Sequence, residues 1–150
     1  MCRLRCAFDG NAARTARGCD VAEARPRTGD RRLSKLNACT YCVAHHTPFL
    51  VVEGVSPTGV EHILDYRDHP EFDDRDKLVV EYAIAAWERP NRIPDALFTR
   101  LRQHFSEAQL VELTLRITLC GFFNKFNDAL GIEEEPEAVE RFGALTASAR

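Results

Sequence analysis

The sequence predicts an all-α fold. Three observations carry that prediction. Apolar residues recur at three- and four-residue steps from Ser34 onward. Helix start and stop residues punctuate those runs at short intervals. No segment alternates convincingly at the period of two that a half-buried strand requires. The chain has 150 residues, the size of one domain. Apolar residues make up 45% and charged residues 29%, which excludes a mainly disordered or collagen-like chain.

Leu36, Cys39, Val43, His46 and Leu50 fall on one face of a helix predicted over about 34–53, with Gly54 as its stop. Ser56 and Pro57 form an N-cap and first-turn pair for a short helix reaching about Tyr66. Asp73 or Asp74 caps a helix over 75–88, whose apolar face carries Leu78, Val79, Tyr82, Ala86 and Trp87; it ends before Pro90. Pro94 opens a short helix through Leu97, Leu101 and Phe105. Ser106-Glu107-Ala108-Gln109 reads as a capping box. It starts a long helix through Leu110 and Leu130 that Gly131 closes, about 35 Å in length. Apolar residues surround that helix on nearly all sides, so it is expected at the centre or at a subunit interface. A last helix is predicted from Pro136 to about Leu145.

Charge is unevenly spread. Residues 1–33 carry eight Arg against four acidic residues and show no helical or strand period, whereas the whole chain has a net charge of −3. We read 1–33 as an atypical Arg-rich, weakly ordered arm and 34–150 as the folded domain. A net acidic chain is a poor general nucleic-acid binder, so no nucleic-acid partner is expected. No run of eighteen apolar residues exists, so no membrane span is expected. The arm has no apolar core of a secretory signal, and a cytoplasmic location is expected.

The stretch that carries chemistry is Cys39-Thr40-Tyr41-Cys42-Val43-Ala44-His45-His46. Steps of three and four residues put Cys39, Cys42 and His46 on one helical face, with His45 turned away by about 100°. Thiols near a helix start are stabilised as thiolates by unpaired N–H groups and the helix dipole. An imidazole beside them can take or return a proton. Two cysteines at this spacing can close a disulfide after one is oxidised, and an outside thiol can reopen it. Three plainer readings compete: a zinc site on Cys39, Cys42, His45 and His46, a packed cysteine pair, and a structural disulfide. Four ligands within eight helical residues do not surround one ion tetrahedrally. Cys120 reads as a packed core cysteine, and Cys2, Cys6 and Cys19 receive no role. His62 could approach the site from the following helix. Asn124 and Asn127, three apart on an apolar helix, need polar partners. Glu133-Glu134-Glu135 reads as a solvated run. No flavin, haem or nucleotide motif is present, so no cofactor is expected.

Leu36 through Thr47, Gly54-Val55-Ser56 and Phe122 through Gly131 resemble the carboxymuconolactone decarboxylase superfamily, on its alkylhydroperoxidase D-like branch. The resemblance covers about 34–135. It implies an all-helical fold of five to six helices, assembly into homotrimers or hexamers, and reduction of a hydroperoxide substrate through two thiols. A thiol or dithiol reductant, protein or small molecule, would restore them. By position, Cys42 matches the peroxidatic cysteine, Cys39 the more accessible cysteine that resolves it as a disulfide, and His46 the proton-relay histidine. Tyr41 stands where the best-known members have a second histidine. Members usually carry a Glu about twelve residues before the first motif cysteine; here that slot is Arg27, and activity without it is expected to be weak or absent. One coding of residues 26–34, read one base later, spells Arg-Glu-Leu-Val-Ile-Ala-Val-Ser, the helical segment the resemblance implies. A displaced reading frame accounts for both the composition of the arm and the missing Glu; resequencing the locus tests it. The rival functions are a redox sensor without turnover, a non-catalytic helical oligomer, and a cysteine-independent lyase.

Overall fold

The structure is a computed structural model in which residues 27–138 and 140 are described. Among the described residues six α-helices have both ends placed: α1 (Arg27–Leu36), α2 (Thr40–Val52), α3 (Pro57–Glu61), α4 (Asp74–Glu88), α5 (Asp95–His104) and α6 (Glu107–Leu130). A 3-10 turn, Ile63–Asp65, follows α3. No strand occurs among the described residues, so the all-α expectation holds.

Most caps follow from the sequence. Ser56 Oγ accepts the Gly59 N–H at 3.1 Å at the start of α3. Asp73 rather than Asp74 caps α4: it accepts the Asp76 N–H at 2.8 Å, and Asp76 returns a bond to the Asp73 N–H. Ser106 and Gln109 close the same reciprocal box on α6. Gly131, at φ 59°, ends α6 in the left-handed region that favours glycine.

Two expectations need correction. The helix expected over 34–53 is two helices, broken at Asn37-Ala38-Cys39. The Cys39 N–H bonds to the Ser34 carbonyl at 3.1 Å and the Ala38 N–H to that of Lys35 at 3.2 Å, a Schellman closure of α1. Its left-handed position is filled by Ala38, at φ 54°. Without a glycine there, apolar spacing runs through the break unmarked.

The boundary at 33/34 also falls inside a helix, because 27–33 form most of α1. Thr28, Asp30, Arg31 and Ser34 are buried beside Leu33. A helix whose buried face is largely polar carries no apolar period, which is why the sequence leaves it invisible. The rest of the arm, 1–26, lies outside the described residues. Residues 136–138 and 140 are helical, and the remainder of the last predicted helix lies outside them.

The core is built around α4 and α6. Leu78, Val79, Tyr82 and Ala86 pack with Leu101, Leu113, Ile117 and Cys120. At Gly121 a Cβ would run into the Trp87 indole, so glycine sets the close approach of α6 to α4. α1 lies across α2, α4 and α6. This wedges the start of α2, with its cysteines, against one stripe of α6.

Candidate thiol site

Cys39 precedes α2 and caps it. Its backbone is extended (φ −76°, ψ 97°), and its Sγ accepts the Cys42 N–H at 3.4 Å. A thiol thus holds the place usually taken by Ser, Thr, Asp or Asn. Cys42 lies in the first turn of α2, among the N–H groups that have no partner within the helix. His46 follows four residues later on the Cys42 side. Cys39, Cys42 and Cys120 are free thiols.

The opposite wall comes from α6. Cys120, Asn124 and Asn127, at steps of four and three residues, are all buried on a helix otherwise rich in apolar groups. Asn127 Nδ2 donates to Cys42 Sγ at 3.4 Å. Asn124 accepts from Asn37 Nδ2 at 2.8 Å and donates to Ser34 Oγ at 3.2 Å and Cys120 Sγ at 3.8 Å. It therefore ties the loop before Cys39 to α1. Cys120 Sγ lies 3.8 Å from His46 Nε2, 3.7 Å from Ser34 Oγ and 3.4 Å from the Asp30 carbonyl oxygen. Cys120 is thus a packed core cysteine that also touches the imidazole.

Burial suppresses ionisation at Cys39 and Cys120. Burial pushes the Cys39 thiol up to about 12, reinforced by hydrogen bonding with Cys42 and Asp128. Burial, with the Asp30 charge nearby, raises Cys120 still further. Both stay protonated at neutral pH. The greater accessibility of Cys39 that the resemblance implies is not seen: Cys39 is 0% exposed and Cys42 4%, so both are buried. Both thiols lie where α1 and α6 pack against α2.

His45 points away from the thiols, as its spacing predicts. Its Nε2 stands 2.7 Å from Glu135 Oε2, and Tyr41 Oη donates to Glu135 Oε1 at 3.4 Å. The Tyr41 and His45 rings lie 4.3 Å apart. Glu135 is therefore a paired carboxylate, its pKa lowered by its own backbone N–H and by His45, not a merely solvated one. His62 pairs with Asp65 at 3.4 Å and stacks on His69. Arg27, at the slot of the expected Glu, is the first residue of α1. Among the described residues no group of three His, Cys, Asp or Glu side chains converges as metal ligands would.

The residues that spacing alone did not assign are Asn127, Cys120 as a neighbour of His46, and Glu135. Two Asn on an apolar helix were the signal for the first. Nothing local marks the other two.

No protein-family model matches the chain. Over 101 residues, 67% of its length, the chain is 35% identical to the uncharacterized protein YnjA of Escherichia coli (strain K12). It covers 56% of YnjA, little more than half of that protein. It is 27% identical over 101 residues to the uncharacterized protein YdfG of Bacillus subtilis (strain 168), covering 69% of it. A crystal structure from Agrobacterium tumefaciens superposes with a TM-score of 0.66 at 20% identity, over 89% of this chain and 85% of that one. That protein is of unknown function and is proposed to be the antioxidant defence protein AhpD. The chain has an alkylhydroperoxidase D-like fold.

Proposed function

We propose that the chain is a thiol-dependent peroxidase or dithiol oxidoreductase that works through Cys42 and Cys39. One observation carries this reading. Two free thiols sit at the cap and in the first turn of one helix, joined through the Cys42 N–H. The Cys42 thiolate attacks a hydroperoxide oxygen: an S–O bond forms, the O–O bond breaks, and the leaving alkoxide takes a proton by way of His46. The Cys39 sulfur then displaces water from the sulfenic acid and closes the Cys39–Cys42 disulfide. An external dithiol reduces it and leaves as its own disulfide. The antioxidant role proposed for the Agrobacterium protein agrees with this. A reducing cytoplasm suits thiols that must start free.

The burial of both sulfurs sets the pace. With Cys42 4% exposed, a hydroperoxide reaches it only when the side chains over the α2 start move aside, so turnover is expected to be slow. The same burial favours a second reading, a redox sensor that closes its disulfide once. Peroxide consumption with dithiothreitol as donor separates the two. Turnover beyond one equivalent supports the peroxidase, and stoichiometric consumption with disulfide formation supports the sensor. Cys42→Ser is expected to abolish consumption, and Cys39→Ser to leave a sulfenic acid at Cys42 that dimedone traps. Unchanged turnover in the Cys42 variant removes the mechanism, and turnover surviving loss of both thiols points to a lyase or isomerase on this scaffold.

The reading includes a homo-oligomer of three or six copies. Val111, Leu115, Phe122, Phe126 and Leu130 lie 37–70% exposed along α6. An apolar row of this length on a lone chain suits a protein partner better than water. No described helix is long and apolar enough to cross a membrane.

A further inference from the structure

We infer that Asn127 is a catalytic residue of this same thiol reaction, its side-chain amide holding the Cys42 sulfur as the thiolate forms. The inference rests on the redox reading for its biological use, but its geometry stands apart from it. Asn127 Nδ2 donates to Cys42 Sγ at 3.4 Å, across 85 residues of sequence. The residue is buried, and its own backbone is fixed at the end of α6, where its carbonyl accepts the Ile132 N–H at 3.0 Å. One turn back, Asn124 is locked among Asn37, Ser34 and Cys120. The amide therefore reaches the sulfur from a braced helix rather than from a mobile side chain.

The chemistry favours one of the two sulfurs. An amide N–H is a donor, and a thiolate is a far better acceptor than a neutral thiol. Cys42 receives that donor and lies in the first turn of α2, near the positive end of the helix dipole. Cys39 also accepts an N–H, that of Cys42, which favours its thiolate, but its burial, the Cys42 side chain and the Asp128 side chain beside it oppose a negative charge there and outweigh that donor. The other ionisable groups around Cys42 are Tyr41 and His46 on α2 and Cys120 on α6, with Asp30 of α1 behind Cys120 and Glu135 behind Tyr41. The Asn127 amide thus separates a nucleophilic sulfur from a resolving one within a single CxxC turn.

The test uses the reduced full-length chain. Iodoacetamide pulses between about pH 5 and pH 10 are read at Cys42 by fragment-ion mass spectrometry. Asn127→Leu removes the donor at similar volume. Labelling of Cys42 at neutral pH is expected to fall about tenfold, and the pH of half-maximal labelling to move up. Cys120 labelling, measured in the same digest, is expected to stay unchanged. Asn127→Asp keeps the shape and puts a carboxylate against the sulfur, so its fall should be larger. It supplies the same readout if the Leu variant does not fold, as judged by circular dichroism. A Cys42 profile that stays put in a folded variant overturns the inference. So does a downward move, which would mean that the amide oxygen faces the thiol. Peroxide turnover is followed in parallel: a labelling shift without turnover in the unsubstituted chain supports the amide's role and overturns the peroxidase reading instead.

Discussion

Arg31 shows how much a single residue can oppose the fold around it. It is 1% exposed on α1, and its Nε and Nη1 atoms have no hydrogen-bond partner among the described residues. Desolvation pulls the guanidinium down from its ordinary value to about 10. A buried charge without good partners costs stability. Arg31→Ile, which removes the buried charge and fills its place with an apolar side chain, is expected to stabilise the chain by about 1–3 kcal/mol. Thermal melts at neutral pH check it, with a lower melting temperature as the contrary result. The pH dependence has a definite sign. Between about pH 10 and the unfolded value of 12.5 the folded state gives up its proton first, so the native chain gains relative stability as pH rises. The advantage of the Ile variant therefore shrinks across that window.

At the scale of the element, the decisive feature is the break between α1 and α2. The Schellman closure puts Ala38 at φ 54°, a conformation that costs an L-residue with a Cβ about 1 kcal/mol. Ala38→Gly removes that cost, and the fixed native turn limits the entropy lost elsewhere. A rise in melting temperature of a few degrees is expected, with α2 and its cysteine cap unchanged. A lower melting temperature would show that the turn is held without strain. The break also has a functional effect. It ends α1 at Leu36 and leaves Cys39 extended, so its sulfur caps α2 and approaches Cys42. A continuous helix over 34–53 would put the same residues on one face, but it would deny Cys39 its capping role.

At the scale of the whole molecule, the outer face of α6 stands out for the apolar side chains it leaves exposed. Phe122 stacks on Phe126 at 5.7 Å, and both remain about half exposed. In the proposed oligomer this pair lies between copies. Phe122→Glu, on the face away from Asn124 and Asn127, is expected to shift the chain to monomers in sedimentation velocity while leaving its circular dichroism intact. A substituted chain that still sediments as the unsubstituted assembly would place the interface elsewhere.

The sequence by itself determined the all-α class, the α3, α4 and α6 caps, and the motif of Cys39, Cys42 and His46. These depend on neighbours within four residues, and helical spacing and capping chemistry read such neighbours directly. Tertiary structure decided the rest. α1 stayed hidden because its buried face is polar, and the start of α2 stayed hidden because an alanine fills a glycine's place. The partners of the sulfurs, Asn127 for Cys42 and His46 for Cys120, lie 85 and 74 residues away in the chain. No local period encodes such a distance; only the packing of α6 against α1 and α2 brings those groups together.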